Sequence, residues 1–328
     1  MIKSIRKATD EQWDSIVEAV ESAIYFQTRE WFDIWAAYAG FKSDTKLIHF
    51  DSGKKVLLPL AHINLIKGLM PVYFLAPKGM GGFVTSDELD YDEKKELFKF
   101  LMKMKMLYCV VNPYDALTNE FDGFKAEDFT QFLDLSDGFD PIFRKWTWGH
   151  YSRARKGMRE GLTAQLAATE DDWKSYFELY QDNLARWGKK TTNTYRWNLF
   201  EIMYRKNSPK IKLWLAKYQG QIISGALCFY HKKHVAYWHS ATSQRFFKKL
   251  NATHVLQYCI IKDACENGFL LYDFMPSGGI QGVVDFKTGF SPQTKALHIY
   301  LSPSLRFADF IRKRIRKRDP ERSGKESG

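Results

Sequence analysis

The chain has 328 residues, of which 45% are hydrophobic and 27% are charged. Two globular domains are expected, because single hydrophobic cores rarely serve more than about 250 to 300 residues. No apolar run approaches the roughly 18 residues that cross a bilayer, and the four cysteines lack paired spacing or a histidine at metal-ligand offsets. The sequence therefore excludes disordered, disulfide-stapled and zinc-finger classes and predicts no transmembrane helix.

The formal net charge of +11 favours a polyanionic partner, such as nucleic acid, anionic lipid or a phosphate-bearing ligand. Part of this surplus is local, since two basic triplets lie at 312–314 and 316–318. The first residues contain no apolar signal segment. We expect a cytoplasmic protein, with peripheral contact at the inner face of the membrane as the alternative.

The first half of the chain has the pattern of a strand-rich unit with one long helix. An Asp-Ser-Gly turn at 51–53 separates the first two strands, and the helix has apolar residues at i, i+3, i+4 and i+8. The predicted elements are strands at 45–50, 56–63 and 71–76, a helix at 87–106 and a strand at 107–111.

The second half repeats this order. Its predicted elements are strands at 211–217, 222–230 and 235–240, a helix at 251–266 and a strand at 269–273. Tyr108 and Tyr272 are 164 positions apart, and Pro113 and Pro276 are 163 apart. This steady offset indicates a duplicated domain.

A turn and a basic helical connector at 134–159 separate the halves. We predict an N-terminal domain at 1–147, a C-terminal domain at 148–302, and a basic amphipathic helix with a tail at 303–328. Strand hairpins before each helix favour a mixed α/β class over an all-parallel doubly wound sheet.

Several short motifs occur in the order and spacing typical of FemAB-like proteins. They are a Tyr-Asp strand end at 270–274, a polar loop at 277–280, an F-K-x-x-F segment at 286–290, a Gln/Trp helix at 25–31, a Leu-Pro-Leu hairpin at 58–60, a glycine loop at 79–82 and a basic helix at 153–161. The chain therefore resembles the FemAB peptidyltransferase group of the GNAT superfamily over about residues 25–300.

This resemblance implies two tandem GNAT-like domains packed face to face. It also implies an acyl- or aminoacyl-transferase that moves an acyl group from a coenzyme A thioester or an aminoacyl-tRNA to an amine of a cell-envelope precursor, polysaccharide or lipid. No tightly bound cofactor or metal is expected, and the donor is a co-substrate. The pattern departs at Asp33, where Fem-type ligases have Lys, and at Asn112, where they have Asp. A UDP-linked muropeptide is accordingly a doubtful acceptor.

Three residues are predicted to carry the chemistry. Lys287 would neutralise the donor phosphate or the leaving oxygen, and its alternative is a surface lysine on a buried turn. Asp273 would bind the acceptor amine or accept its proton, and its alternative is a loop cap. Tyr272 accompanies Asp273 at the strand end that faces a ligand in open α/β sheets.

Donor and substrate contacts are predicted from the motifs and from one helix start. Asn251 and Thr253 begin the helix where GNAT proteins bind pyrophosphate on free N–H groups, although the usual glycine-rich loop is absent. Arg155 and Arg159 share a helix face that can hold phosphates, or is merely solvated. The remaining candidates are Phe286, Ser277, Gly278, Gly279, His239, Asn112, Trp31, Gly81 and Gly82.

No serine, cysteine or histidine shows the order of an activated nucleophile, which favours direct attack by the amine without a covalent intermediate. The competing interpretation is a catalytically silent GNAT scaffold that binds nucleic acid, including tRNA, or anionic membrane through its basic helices.

Overall fold

A computed structural model describes residues 1–64, 71–121, 125–187, 194–246 and 250–306. The predicted basic helix at 303–328 therefore lies outside the described residues beyond residue 306, and its contact with a membrane stays a prediction.

The first half contains eight strands and four α-helices among the described residues. In chain order they are β1 (Ile2–Lys7), α1 (Asp10–Ala19), α2 (Arg29–Ala39), β2 (Lys42–Ser43), β3 (Lys46–Phe50), β4 (Lys55–Leu58), β5 (Ala61–Asn64), β6 (Pro71–Phe74), α3 (Tyr91–Met102), β7 (Leu107–Val110), α4 (Ala116–Asn119) and β8 (Lys125–Asp134).

The second half continues with α5 (Phe139–Lys145), α6 (Trp148–Arg159), β9 (Thr163–Leu166), α7 (Glu170–Trp187), α8 (Trp197–Lys206), β10 (Ile211–Tyr218), β11 (Gln221–His231), β12 (His234–Thr242), α9 (Ala252–Glu266), β13 (Leu271–Asp273), α10 (Gln281–Thr288) and β14 (Gln293–Leu301). The repeated order is present, because a helical crossover joins parallel β6 and β7 in one half and parallel β12 and β13 in the other.

Local chemistry sets several boundaries differently from the sequence pattern. Helix α3 begins at Tyr91 and not at residue 87, because Asp90 and Glu93 form a reciprocal capping box at its start. The single strand predicted at 56–63 is divided at Pro59, which has no N–H to donate to a ladder. As a result, β4 joins a small β1-β3-β4 sheet and β5 joins the main sheet.

The main sheet has eleven strands in the order β2-β5-β6-β7-β14-β8-β13-β12-β11-β10-β9. Two of these strands each pair with a strand from the other half of the chain. β8 comes from the first half and pairs with β13 of the second, whereas β14 comes from the second half and pairs with β7 of the first. The predicted mixed α/β class is confirmed, and one continuous sheet joins the two halves edge to edge in addition to their helix packing.

The largest hydrophobic core is also shared between the halves. Trp31 and Trp35 of α2 pack in the same cluster as Tyr176 of α7, Phe200 of α8 and Phe229 of β11. The boundary at 147/148 stays a prediction, since the exchanged strands and this shared core mean that no single cut separates two complete structural units.

Candidate active site

The parallel strands β12 and β13 separate beyond Asp273. They pair over only three residues, the last pair being Ala236 and Asp273. β12 continues to Thr242, and beyond Ala236 it pairs only with β11 among the described residues. Its other edge therefore presents backbone N–H and C=O groups to the opening, where an extended ligand can bind as a further strand would.

Asp273 forms the closed end of this opening and is fully buried. Its carboxylate accepts hydrogen bonds from Tyr114 Oη at 2.8 Å, from the Thr130 hydroxyl and from the Met275 N–H at 2.7 Å, and His234 Nε2 lies 3.5 Å away. Burial opposes ionisation, but the hydrogen bonds from His234, Thr130 and Tyr114 outweigh it and lower the pKa of Asp273. Asp273 is thus an ionised carboxylate whose oxygens are already occupied.

Lys287 lies in the last turn of α10, where the sequence pattern indicated a turn rather than a helix. Its side chain is only 4% exposed. Nζ donates to the Met275 carbonyl at 2.7 Å and to Ser277 Oγ at 2.9 Å. Burial lowers the pKa of Lys287 to about 8, although Asp273 and Asp128 act in the opposite direction. Two of the three ammonium protons are used within the protein, which leaves one for a ligand.

The backbone of Met275 connects these two charged groups. Its N–H donates to Asp273, its carbonyl accepts from Lys287, and its φ of 61° lies in the left-handed region. A non-glycine residue holds this conformation only when its surroundings fix it. The Met275 side chain packs on the same core cluster as Trp238 and Tyr195. Asp273 and Lys287 therefore hold one rigid turn beside the opening.

The equivalent opening of the first half is filled by the chain itself. β6 and β7 pair over two residues that end at Tyr108, and beyond it Gly81 forms a parallel bridge with Val111. The Asn112 N–H donates to the Gly81 carbonyl at 2.6 Å. A Cβ atom on Gly81 would lie 2.7 Å from the backbone of Leu75. Only the second half keeps an open parallel pair among the described strands.

Two more predicted site residues of the first half have packing roles in the structure. A Cβ atom on Gly82 would lie 2.7 Å from the side chains of Asp115 and Thr118. Asn112 is fully buried, and its Nδ2 donates to Gln27 Oε1 at 3.1 Å. The donor-binding roles predicted for Gly81, Gly82 and Asn112 stay predictions that these surroundings do not favour.

Trp31 and Tyr272 are also fully buried. Trp31 Nε1 donates to the Pro77 carbonyl at 2.7 Å, and Tyr272 Oη donates to Gln257 Oε1 at 2.7 Å on the opposite side of the sheet from the shared core. Burial raises the pKa of Tyr272 well above its ordinary value. Neither side chain reaches the opening, so the catalytic role predicted for Tyr272 has no support from its position.

His239 lies on β12, three residues beyond the last pair with β13, and is partly exposed. Its Nδ1 is 2.6 Å from Tyr176 Oη, and its ring contacts those of Tyr180, Tyr195 and Phe200. Burial lowers the pKa of His239 to about 4, so the imidazole is neutral at physiological pH. The ligand-lining role of His239 stays a prediction, and this location beside the opening is compatible with it.

The start of α9 adjoins the end of β12. Asn251 is the N-cap residue without a side-chain capping bond, and the Thr253 hydroxyl lies 3.3 Å from that of Thr242. The first N–H groups of a helix have no partner within the helix and attract anions. Asn251 and Thr253 thus lie at the outer end of the β12 edge, where the phosphates of a donor were predicted.

Gly278 and Gly279 lie on the surface after the Met275 turn, with φ of 57° and 73°. Both conformations favour glycine. The Ser277 hydroxyl accepts from Lys287, so this exposed loop is anchored to the buried ammonium at one end.

The basic helix α6 exposes the predicted phosphate-binding side chains. Arg155 donates to Tyr151 Oη at 2.9 Å, and Arg159 is exposed in the last turn. Phe286 of α10 packs against α6 and α9. Its ring centroid lies 5.3 Å from that of His150 and 5.4 Å from that of His254. These ring contacts hold α10 against its neighbours, and the donor-binding role of Phe286 stays a prediction.

A charged cleft of about 510 Å³ lies between α1, α2 and the end of α8. Asp33, where Fem-type ligases have Lys, lines it and is 3.3 Å from Lys206 Nζ. Lys210 and Arg29 add two more cations, which face Glu18 and Asp14. The lining holds four carboxylates (Asp14, Glu18, Glu30 and Asp33) and three cations (Arg29, Lys206 and Lys210), so the cleft has no surplus of positive charge.

Sequence reasoning missed the residues that surround Asp273 and His239. Tyr114, Thr130 and His234 bind the carboxylate, and Tyr176 binds the imidazole. Tyr114 is 159 positions away from Asp273 in the chain. No local pattern marks such partners, because the fold alone brings them together.

Within the described ranges, no group of three or more His, Cys, Asp or Glu side chains is arranged to hold a metal ion. In the same part of the chain, no helix is both long and apolar enough to span a membrane.

Residues 144–288 match the family model of the acetyltransferase (GNAT) domain. The fold is similar to that of FemX, with a TM-score of 0.71 at 15% identity over 94% of this chain and 99% of that chain. It is also similar to the C-terminal domain of a protein assigned as a lysylphosphatidylglycerol synthetase from Agrobacterium fabrum, with a TM-score of 0.57 at 13% identity over 92% and 95% of the two chains. No curated protein matches in sequence. Residues 144–288 thus match a GNAT acetyltransferase domain, and the fold of the whole chain is similar to that of FemX.

Proposed function

We propose that the protein is an N-acyltransferase that binds its acyl donor along the free edge of β12 and transfers the acyl group to an amine. The open β12 edge beside the turn held by Lys287 carries this proposal. It is the one open parallel pair among the described strands, since Gly81 occupies the counterpart in the first half. The GNAT domain match covers the same strands.

The donor is proposed to carry both amide and phosphate groups. Amides of an extended arm match the unpaired N–H and C=O groups of β12, and phosphates match the free N–H groups at the start of α9. Coenzyme A thioesters have both features. An aminoacyl-tRNA is the second donor class, for which the exposed Arg155 and Arg159 of α6 offer backbone contacts.

Lys287 is proposed to stabilise the negative charge that develops on the acyl oxygen. The ammonium is already oriented by Met275 and Ser277, so little reorganisation accompanies the reaction, and its burial strengthens the interaction with an oxyanion. Asp273 is assigned a positioning role in this scheme, because its oxygens are occupied. The acceptor is proposed to be an amine of a cell-envelope component, which agrees with the lipid in the name of the similar lysylphosphatidylglycerol synthetase domain.

Unfolding of the protein, measured with and without acetyl-coenzyme A and separately with an aminoacyl-tRNA, tests the proposal. A donor present at 100 times its Kd should add about 2.7 kcal/mol to the free energy of unfolding. Lys287→Ala should lower turnover by about 100-fold while donor binding changes little. Lys262→Ala is the matched control, because the Lys262 side chain on α9 is half-exposed and pairs with Glu266 at the surface.

Absence of binding by both donor classes would overturn the proposal. The scaffold interpretation makes a different prediction for nucleic acid or anionic vesicles. Binding through many exposed cations should weaken steeply with salt and should be unaffected by Lys287→Ala. A protein that shows only this second behaviour is a binding module and not an acyltransferase.

A further inference from the structure

Acylation of an amine releases a proton, and Asp273 is poorly placed to receive it. The Asp273 side chain has no exposed surface, and its oxygens accept from Tyr114, Thr130 and Met275. Lys287 is a cation at neutral pH and acts as a donor. The group that takes the proton must therefore lie elsewhere around the opening.

A β-bulge on β12 presents one further titratable side chain at this place. The pairing with β11 shifts between Leu227 and Cys228, which oppose His239 and Tyr237, so Trp238 is the extra residue. Successive strand residues normally face opposite sides of a sheet. Because of the bulge, Trp238 and His239 both contact the α7 and α8 side, whereas Tyr237 packs with the core on the other side.

The imidazole of His239 is held in one orientation. Tyr176 Oη lies 2.6 Å from Nδ1 and 3.2 Å from the His239 carbonyl oxygen. Nε2 has no hydrogen-bond partner in the described part of the chain and is not sealed from solvent. The turn at Met275 packs on the same cluster as Trp238. One free ring nitrogen thus remains on the face shared with the turn held by Lys287.

The groups that face His239 keep it uncharged. Tyr176 and Tyr180 contact it from α7, Tyr195 from the segment before α8, and Phe200 from α8 itself. None of these carries a charge at neutral pH, and burial is the cause of the low pKa of about 4. The Tyr176 hydroxyl donates to the His239 carbonyl oxygen, so its oxygen accepts from Nδ1–H and the lone pair of Nε2 is left as the proton acceptor.

We propose that His239 is the general base of the acyl transfer and that Tyr176 is its positioning residue. This inference rests on the proposed function. The amine nitrogen forms a bond to the acyl carbon, and the carbonyl π electrons move to the oxygen beside Lys287. Nε2 takes the proton from the positively charged nitrogen of this adduct, which is more acidic than a free ammonium. The oxyanion then re-forms the carbonyl, the bond from carbon to sulfur or ester oxygen breaks, and the leaving group takes up the proton from the imidazolium.

The roles of the two ring nitrogens of His239 can be tested separately by substitution. His239→Asn keeps a polar atom near the position of Nδ1, and so the bond to Tyr176, but removes Nε2. With acetyl-coenzyme A and a primary amine acceptor, His239→Asn should lower kcat by about 100- to 1000-fold and change either KM by less than about threefold. Tyr176→Phe should lower kcat by about tenfold, because the imidazole remains but is less firmly oriented.

Chemical rescue supplies a readout that a merely structural role would not give. In His239→Ala, added imidazole should restore part of kcat, and substituted imidazoles should restore more as their pKa rises. Thermal unfolding of each variant shows whether it is folded. A folded His239→Asn protein with kcat within twofold of the wild type, or His239→Ala without rescue, overturns the inference. A wild-type protein that binds neither donor refutes the proposed function instead.

Discussion

At the scale of single residues, the site depends on two buried charges that are joined through one peptide group. Asp273 and Lys287 both bind the backbone of Met275, on its N–H and its carbonyl respectively. A buried charge is costly unless it is paired and hydrogen-bonded. Here Asp273 and Lys287 both hold the left-handed turn at Met275 in place. Their hydrogen bonds to its backbone offset part of the free-energy cost of burying two charges.

The lowered pKa of Lys287 predicts a measurable pH dependence. The ordinary lysine pKa is 10.5 and the folded value is about 8, so the unfolded chain holds this proton to higher pH. Stability from this group therefore rises between pH 8 and 10.5, by up to about 3 kcal/mol. Urea unfolding at pH 7 and pH 9.5 should show this rise in the wild type and not in Lys287→Met.

The same ionisation should affect catalysis in the opposite sense. The acyl transfer rate should fall as pH rises through about 8, because the cation that stabilises the oxyanion is lost. Lys262→Met, which replaces a half-exposed lysine on α9, should retain both wild-type pH dependences. Identical pH slopes of stability in the wild type and Lys287→Met would contradict this account.

At the scale of elements, a single glycine distinguishes the two parallel strand pairs. Gly81 fills the opening between β6 and β7, and a Cβ atom there would meet Leu75 backbone atoms at 2.7 Å. Gly81→Ala should therefore lower the free energy of unfolding by about 2 to 3 kcal/mol. Gly149→Ala in α6 is the matched control, since nothing lies within 4 Å and helix propensity predicts no loss.

Chemical denaturation of both glycine variants checks this prediction. A Gly81→Ala protein as stable as the wild type would show that the loop is not tightly inserted. The opening between β6 and β7 would then also be accessible to a ligand, and the β12–β13 pair would no longer be the one open parallel pair among the described strands.

At the scale of the whole molecule, the exchanged strands and the shared core predict one cooperative unit. β8 and β14 each complete the sheet on the side of the other half, and Trp31 packs with Phe229 across the halves. Calorimetry should show one unfolding transition. Separate fragments 1–147 and 148–306 should each expose an unpaired sheet edge and fail to fold alone. Two resolved transitions in the intact chain would contradict this prediction.

Local sequence patterns were enough to predict the mixed α/β class and the repeated order of strands and helix, and they placed a candidate site in the segment around Lys287. These follow from local periodicity, turn residues and short motifs, which act over a few neighbouring positions. The same reasoning also predicted a catalytic role for Tyr272. A strand pattern alone does not show which side of the sheet faces a ligand, and the position of Tyr272 in the structure gives that prediction no support.

The groups that surround the opening could be identified only from the folded chain. Tyr114 and Thr130 reach Asp273 from more than 140 positions away, and the bulge at Trp238 turns His239 toward Tyr176. The folded chain also showed that Gly81 closes one strand pair while the other stays open. Burial, pKa and strand exchange depend on contacts between distant segments, and those contacts exist only once the sheet has assembled.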